Sequence, residues 1–260
     1  MSIRTQRSAL QRIAIILAVV IQIGATFLPS LGMGEAIGER SDSVRTLVTP
    51  AGFAFAIWGP LFFGSALYAI WQVLPAQRDN VLLAKIGWAS VLALSMQGIW
   101  AIYTQFFNLT FVSALIILTS LAALLAILRT LVAFERPFSL AERTIVAITF
   151  SALAAWLTAA SIVNITASLV YHGVGESDAF PLLAAGLVVV GGLIAAVATA
   201  RSRGNPWYGL TFCWALFGIY SRGGQVEGNI ALATLLAALL VIGAVVVGLR
   251  EGANRHHWFG

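Results

Sequence analysis

The 260-residue chain is 60% hydrophobic and only 10% charged, with a formal net charge of +5 and a mean hydropathy of +0.92. A soluble domain carries about 25% charged residues, so a chain this apolar has too little polar surface for water, which excludes an ordinary cytosolic enzyme and a disordered chain. A nucleic-acid binder is excluded as well, because the basic residues fall in short clusters between apolar runs rather than on one patch.

The composition predicts an all-α polytopic membrane helical bundle. A helix crossing the hydrocarbon needs about 20 apolar residues. Eight segments meet that requirement: 13–31, 51–74, 82–104, 109–133, 144–171, 180–200, 205–221 and 228–249. The arginines ahead of the first resemble a signal peptide, but no small-x-small cleavage site follows, so an uncleaved helix is expected. A loop over 32–49, rich in Gly and acidic residues, follows it. Pro60 removes a backbone bond and is expected to kink span two. Later joints are marked by Pro75 to Asn80, Glu135-Arg136-Pro137, Gly173 to Asp178, Arg201 to Pro206 and Arg222 to Gly228. Asn108 alone marks a tight turn between spans three and four. Cys213 lies inside an apolar run and can form no internal disulfide.

Eight spans put both termini on one side. That side carries Arg4, Arg7, Arg12, Arg78, Lys85, Arg129, Arg136, Arg143, Arg201, Arg203, Arg250 and Arg255. The other side has Arg40, Arg45 and Arg222. Basic residues concentrate in cytoplasmic loops, so both termini are expected in the cytoplasm, with the protein integral to a bacterial cytoplasmic membrane.

No ionisable residue falls deep inside a span, which argues against ion-coupling relays and intramembrane metal chemistry. His172 closes span five, and His256-His257 reads as a chance pair in the tail rather than a metal site. The chain holds eight tryptophans. Trp71, Trp88, Trp100 and Trp207 lie near span ends, where an aromatic belt would place them. Trp58, Trp156 and Trp214 lie deeper, where an indole N–H needs a partner and the ring tends to face protein. Phe55, Trp58 and Phe62 share one face of span two by helical spacing, as do Gln97 and Trp100 in span three, and Trp156, Ala160 and Asn164 in span five. Each stripe has two readings: interhelical packing with polar glue, or the wall of a pocket for a flat apolar ligand. Gly192, Ala196 and Ala200 in span six, and Ala233 and Ala237 in span eight, are small residues at four-residue spacing that permit close helix approach.

Thr49-Pro50-Ala51-Gly52 followed by Trp58-Gly59-Pro60-Leu61-Phe62 resembles the TspO/MBR (tryptophan-rich sensory protein) family, in which a Pro-rich loop enters the second helix ahead of W-x-x-L-[YF]. Gln97-Gly98-Ile99-Trp100 is similar to that family's N-x-x-W, and Trp156-Leu157-Thr158-Ala159-Ala160 to its Y-L-N-A-A. The loop departs from the family's P-x-W-x-P-P, keeping Pro50 but no tryptophan, and the polar and aromatic positions after Ala159-Ala160 are not reproduced. The resemblance implies a five-helix TspO-like bundle over 1–172, with 173–260 as a three-helix extension like that of the longer bacterial members.

The aromatic stripes suit a flat apolar ligand, and the resemblance implies a membrane sensor or carrier that binds such a molecule, porphyrin- or sterol-like, between spans one, two, three and five under the 32–49 loop. The candidate ligand-binding residues are Phe55, Trp58, Phe62, Gln97, Trp100, Trp156 and Asn164. No catalytic residue, metal or cofactor is expected, with a tetrapyrrole open as a ligand. The expected partners are the bilayer and the small molecule, not nucleic acid, and a homodimer is left open. The alternatives are a small-molecule permease without coupling charges and, with less to support it, a membrane enzyme acting on an isoprenoid-like substrate.

Overall fold

The computed structural model describes residues 7–174 and 181–260. Arg4, the Gly175 to Asp178 part of the fifth joint, and residue 180 at the head of span six lie outside the described residues. Every regular element described is helical. Helix α1 (Ala9–Gly24) is capped by the Ser8 hydroxyl and runs on through 3-10 turns at Ala25–Phe27 and Pro29–Leu31. The short α2 (Ile37–Ser43) lies in the following loop. A 3-10 segment, Gly52–Ile57, leads into α3 (Trp58–Val73). Then come α4 (Val81–Phe107) and α5 (Phe111–Val132), capped by the side chains of Asn80 and Thr110. A π-helical turn, Glu142–Ala147, opens α6 (Ile148–Tyr171). The last elements are α7 (Pro181–Arg201), α8 (Pro206–Ile219) with a π-turn over Tyr220–Gly224, α9 (Gly228–Arg250) and α10 (Gly252–Phe259).

Seven of these helices are long and apolar enough to cross a membrane; they match expected spans one to six and eight. The expected seventh is α8, with 14 α-helical residues. Its path follows from its neighbours. The parallel helices α7 and α9 form the most extensive helix pair in the molecule, with Gly192 against Ala237 and Gly204 against Gly248. Because α8 joins the end of α7 to the start of α9, it and its π-turn run back along both. Gly192 is needed there: a Cβ on it would stand 2.4 Å from the Ala237 Cβ. The small-residue stripes permit this close approach.

Pro60 sits in the first turn of α3, just after the change from 3-10 to α geometry at Trp58. The irregularity expected of it takes that form and not a mid-helix kink, because proline is tolerated in a first turn. The tight turn at Asn108 is present: its backbone has φ 73°, and its side-chain oxygen accepts from the Leu109 N–H at 2.7 Å.

The core runs α1 on α4, α4 on α5, α5 on α6 and α6 on α8. Helix α3 packs on α1 and α6. It does not lie along α4, as the expected meeting of spans two, three and five required; its link to α4 is the Tyr68 hydroxyl, 2.8 Å from Ser90 Oγ. At the end bearing the termini, the fully buried Glu142 carboxylate binds Arg136 at 2.6 and 2.7 Å, Asn80 Nδ2 at 3.0 Å and the Ser139 N–H at 2.9 Å. Ser139 Oγ accepts in return from the Glu142 N–H at 3.2 Å, a reciprocal cap. The tail is packed, not loose: α10 buries Trp258, whose indole N–H lies 3.2 and 3.3 Å from the Ser202 and Arg203 carbonyls.

Candidate functional site

Where α3 stands away from α4, at the end opposite the termini, the bundle holds a partly open chamber of about 650 Å³. Its walls come from Gln22 of α1, Phe55 of the 3-10 segment, Trp58 and Phe62 of α3, and Gln97, Trp100 and Gln105 of α4. A narrow annex of about 50 Å³ shares Phe55, Trp58, Gln97 and Trp100 with the chamber and continues to Trp156 and Asn164 of α6. All seven residues singled out from the sequence therefore line the chamber or the annex beside it. The helical spacing that grouped Phe55 with Trp58 and Phe62 survives, although Phe55 precedes the α-helix.

The aromatic wall is ordered by edge and face contacts. Trp58 stacks on Phe62 with centroids 5.1 Å apart and planes 26° apart. Trp156 meets Trp58 edge-on at 6.1 Å and Phe55 edge-on at 6.0 Å. The indole N–H groups of Trp100 and Trp156 are buried and have no partner among the described residues. Trp214 has found one: it donates to the Ala54 carbonyl at 2.9 Å.

The polar residues divide. Gln97 serves as interhelical glue: it accepts from Gln22 Nε2 at 2.7 Å and donates to the Ala93 carbonyl at 3.3 Å and Ser120 Oγ at 3.4 Å. That leaves buried Gln22 Oε1 and Gln105 Oε1 without a donor among the described residues. Asn164 Oδ1 accepts from Ser113 Oγ at 2.8 Å.

The 32–49 loop covers this end. Helix α2 presents Ile37, Ser41 and Asp42 to the chamber. The loop is tied to the end of α4 by the Glu35 N–H to the Gln105 carbonyl at 3.0 Å and by Asn108 Nδ2 to Ser43 Oγ at 3.0 Å. Its arginines are all in ion pairs: Arg40 with Glu35 at 3.1 Å and Arg45 with Asp42 at 3.3 Å. Arg222, from the turn after α8, completes the network at 2.9 Å from Asp42 Oδ1 and also donates to the Pro50 carbonyl at 3.3 Å. The Arg222 hydrogen bond holds the Asp42 carboxyl below its ordinary value.

The sequence reading did not place Arg222, Asp42, Gln22 or Gln105 at this site. One signal was present: Arg40, Arg45 and Arg222 are the three basic residues on the side where basic residues are scarce. Helix α8 also shapes the wall. The Ala51 N–H donates to the Gly218 carbonyl at 2.9 Å, so the end of α8 holds the 3-10 segment that carries Phe55.

The family profile described as TSPO-like protein matches residues 8–247. The chain belongs to the TSPO-like family. The match runs well past residue 172 and takes in α7, α8 and most of α9, in keeping with the part α8 plays in the chamber. No curated protein and no solved structure matches the chain. TSPO-like membership, with the long apolar helices, makes this an integral membrane protein of the sensor or transporter type. Among the described residues no group of His, Cys, Asp and Glu could hold a metal ion.

Proposed function

We propose that the chamber binds a planar apolar small molecule of porphyrin-like or sterol-like shape, and that this binding is the sensing or carrying event of the protein. The observation that carries the reading is the chamber itself: about 650 Å³, walled by Phe55, Trp58, Phe62 and Trp100 and covered by α2. Small-molecule sites are concave, mostly apolar and about 300–1,000 Å³, with a few polar groups that set orientation. Offset and edge-on aromatic contacts favour a flat partner ring. The unpartnered Gln22 and Gln105 carbonyls supply acceptors for a ligand N–H or O–H after a small side-chain shift. The protein then sits in a bacterial cytoplasmic membrane with both termini inside.

The test is a titration of the purified protein with porphyrins, sterols and carotenoids, followed by tryptophan quenching. Saturable quenching by at least one flat class, abolished in the presence of excess unlabelled competitor, supports the reading. Linear, non-saturable quenching by every class overturns it.

A further inference from the structure

Two charged side chains reach the chamber wall among the described residues, Asp42 and Arg222. They come from opposite parts of the chain, 180 residues apart. Arg222 spends one N–H group on Asp42 Oδ1 at 2.9 Å and one on the Pro50 carbonyl at 3.3 Å. A guanidinium has five such donors in a planar fork, so donors remain beside an apolar cavity. The same Asp42 oxygen also accepts from Arg45 at 3.3 Å. Two guanidinium groups thus share one carboxylate. The Asp42 side chain is 52% exposed and that of Arg222 28%. Asp42 is the more hydrated partner and loses less when the pair is exchanged for another.

We propose that Arg222 makes the chamber selective for molecules that carry a carboxylate on a planar apolar body, the ligand carboxylate taking the place of Asp42 on the guanidinium. The apolar body fills the space against Trp58 and Trp100, and the head group stays at the mouth. A guanidinium fork matches a carboxylate in a bidentate way that no neutral head group reproduces. A flat neutral molecule of the same size gains nothing from Arg222. Exchange at Arg222 also frees α2 from the last helices, because Asp42 carries the ion pair between them. The proposal rests on the planar-ligand reading of the chamber.

The experiment uses the full-length protein in nanodiscs of zwitterionic lipid, with pyrenebutyrate and its methyl ester as probes. Energy transfer from tryptophan to pyrene reads binding, and empty nanodiscs give the partition background. The wild type is expected to hold the acid about tenfold more tightly than the ester, the size of one charge-assisted contact. Arg222→Gln brings the acid down to the level of the ester, so the ratio of the two affinities falls from about ten to about one. Arg222→Lys keeps part of the preference. Asp42→Asn removes the internal competitor and tightens the acid alone. Equal affinity of the two probes in the wild type, or a parallel loss of both in Arg222→Gln, overturns the proposal and leaves the planar-ligand reading standing. Where Arg222→Gln does not fold, Asp42→Asn decides: unchanged or weaker acid binding overturns it. If neither probe binds folded wild-type protein, the planar-ligand reading fails and this proposal fails with it.

Discussion

The indole of Trp58 meets that of Trp156 edge-on, with centroids 6.1 Å apart and planes 86° apart, and so joins α3 to α6 across the annex of the chamber. Trp58 is half-buried and faces both spaces, whereas Trp156 is 3% exposed and closes the inner end. Replacing either by leucine keeps the wall apolar and removes an aromatic face worth about 0.5–1.5 kcal/mol beyond its area. Affinity for a saturably bound porphyrin is expected to fall about tenfold in each variant, since about 1.4 kcal/mol is a factor of ten. Trp207→Leu is expected to leave affinity unchanged, because Trp207 packs against Phe259 at the other end of the molecule. Quenching titrations of the three variants check this; loss of affinity in Trp207→Leu alone would place the site among the last helices.

Glu142 and Arg136 anchor the opposite end. Arg136→Ala leaves the fully buried carboxylate without its cation, whereas Glu142→Gln keeps the shape and frees an arginine that is half in water. Arg136→Ala is therefore expected to destabilise more, by about 1–3 kcal/mol, as expected when a buried charged acceptor loses its donor. Thermal unfolding in detergent ranks the two; a larger drop for Glu142→Gln would contradict the assignment.

His257 lies against the Phe138 ring at 5.0 Å and the Trp258 ring at 4.8 Å. Burial and the nearby Arg203 push its imidazole down to about 4, against a smaller upward pull from the Leu131 carbonyl. A base whose folded value is depressed contributes docking stability that is complete above its ordinary value of 6.5 and is lost as the pH falls toward 4. Helix α10 should therefore loosen across that window. Hydrogen exchange over residues 252–260 measures it, and His257→Gln should flatten the response. Protection that stays constant from pH 7 to 4 would refute it.

Gly192→Val and Gly186→Val form a matched pair on α7. A side chain at Gly192 meets the Ala237 Cβ at 2.4 Å and its Cα at 2.8 Å, while one at Gly186 meets nothing within 4 Å. Overpacking typically costs about 1–3 kcal/mol. Only Gly192→Val is expected to lower the melting temperature, and equal behaviour of the two would show that α7 and α9 are not this close.

Topology has its own test. The basic asymmetry leads us to expect the C-terminus in the cytoplasm. A fusion after Gly260 should be active with a reporter that works in the cytoplasm and silent with one that works only in the periplasm; the reverse result overturns the orientation.

Apolar length and turn residues in the sequence determined the helices, because a segment in hydrocarbon must satisfy its own backbone bonds. The Asn108 turn and the small-residue stripes of α7 and α9 were legible because they depend on residues close in sequence or at a fixed spacing; that the two stripes pack on each other was not. Helical periodicity also grouped Phe55 with Trp58 and Phe62, Gln97 with Trp100, and Trp156 with Asn164, since it shows which residues share a face of each helix, and the family resemblance joined the three stripes into one expected site. Periodicity does not show how far apart two facing helices stand. Only the tertiary structure decided that α3 leans on α1 and α6 and leaves α4, which opens the chamber, and that Gln97 is occupied by Gln22 and Ser120. The three arginines on the poorly basic side were visible as exceptions. Their partners were not, because the meeting of Asp42 with Arg222 depends on a loop folding back over the bundle to reach a helix end 180 residues further along the chain.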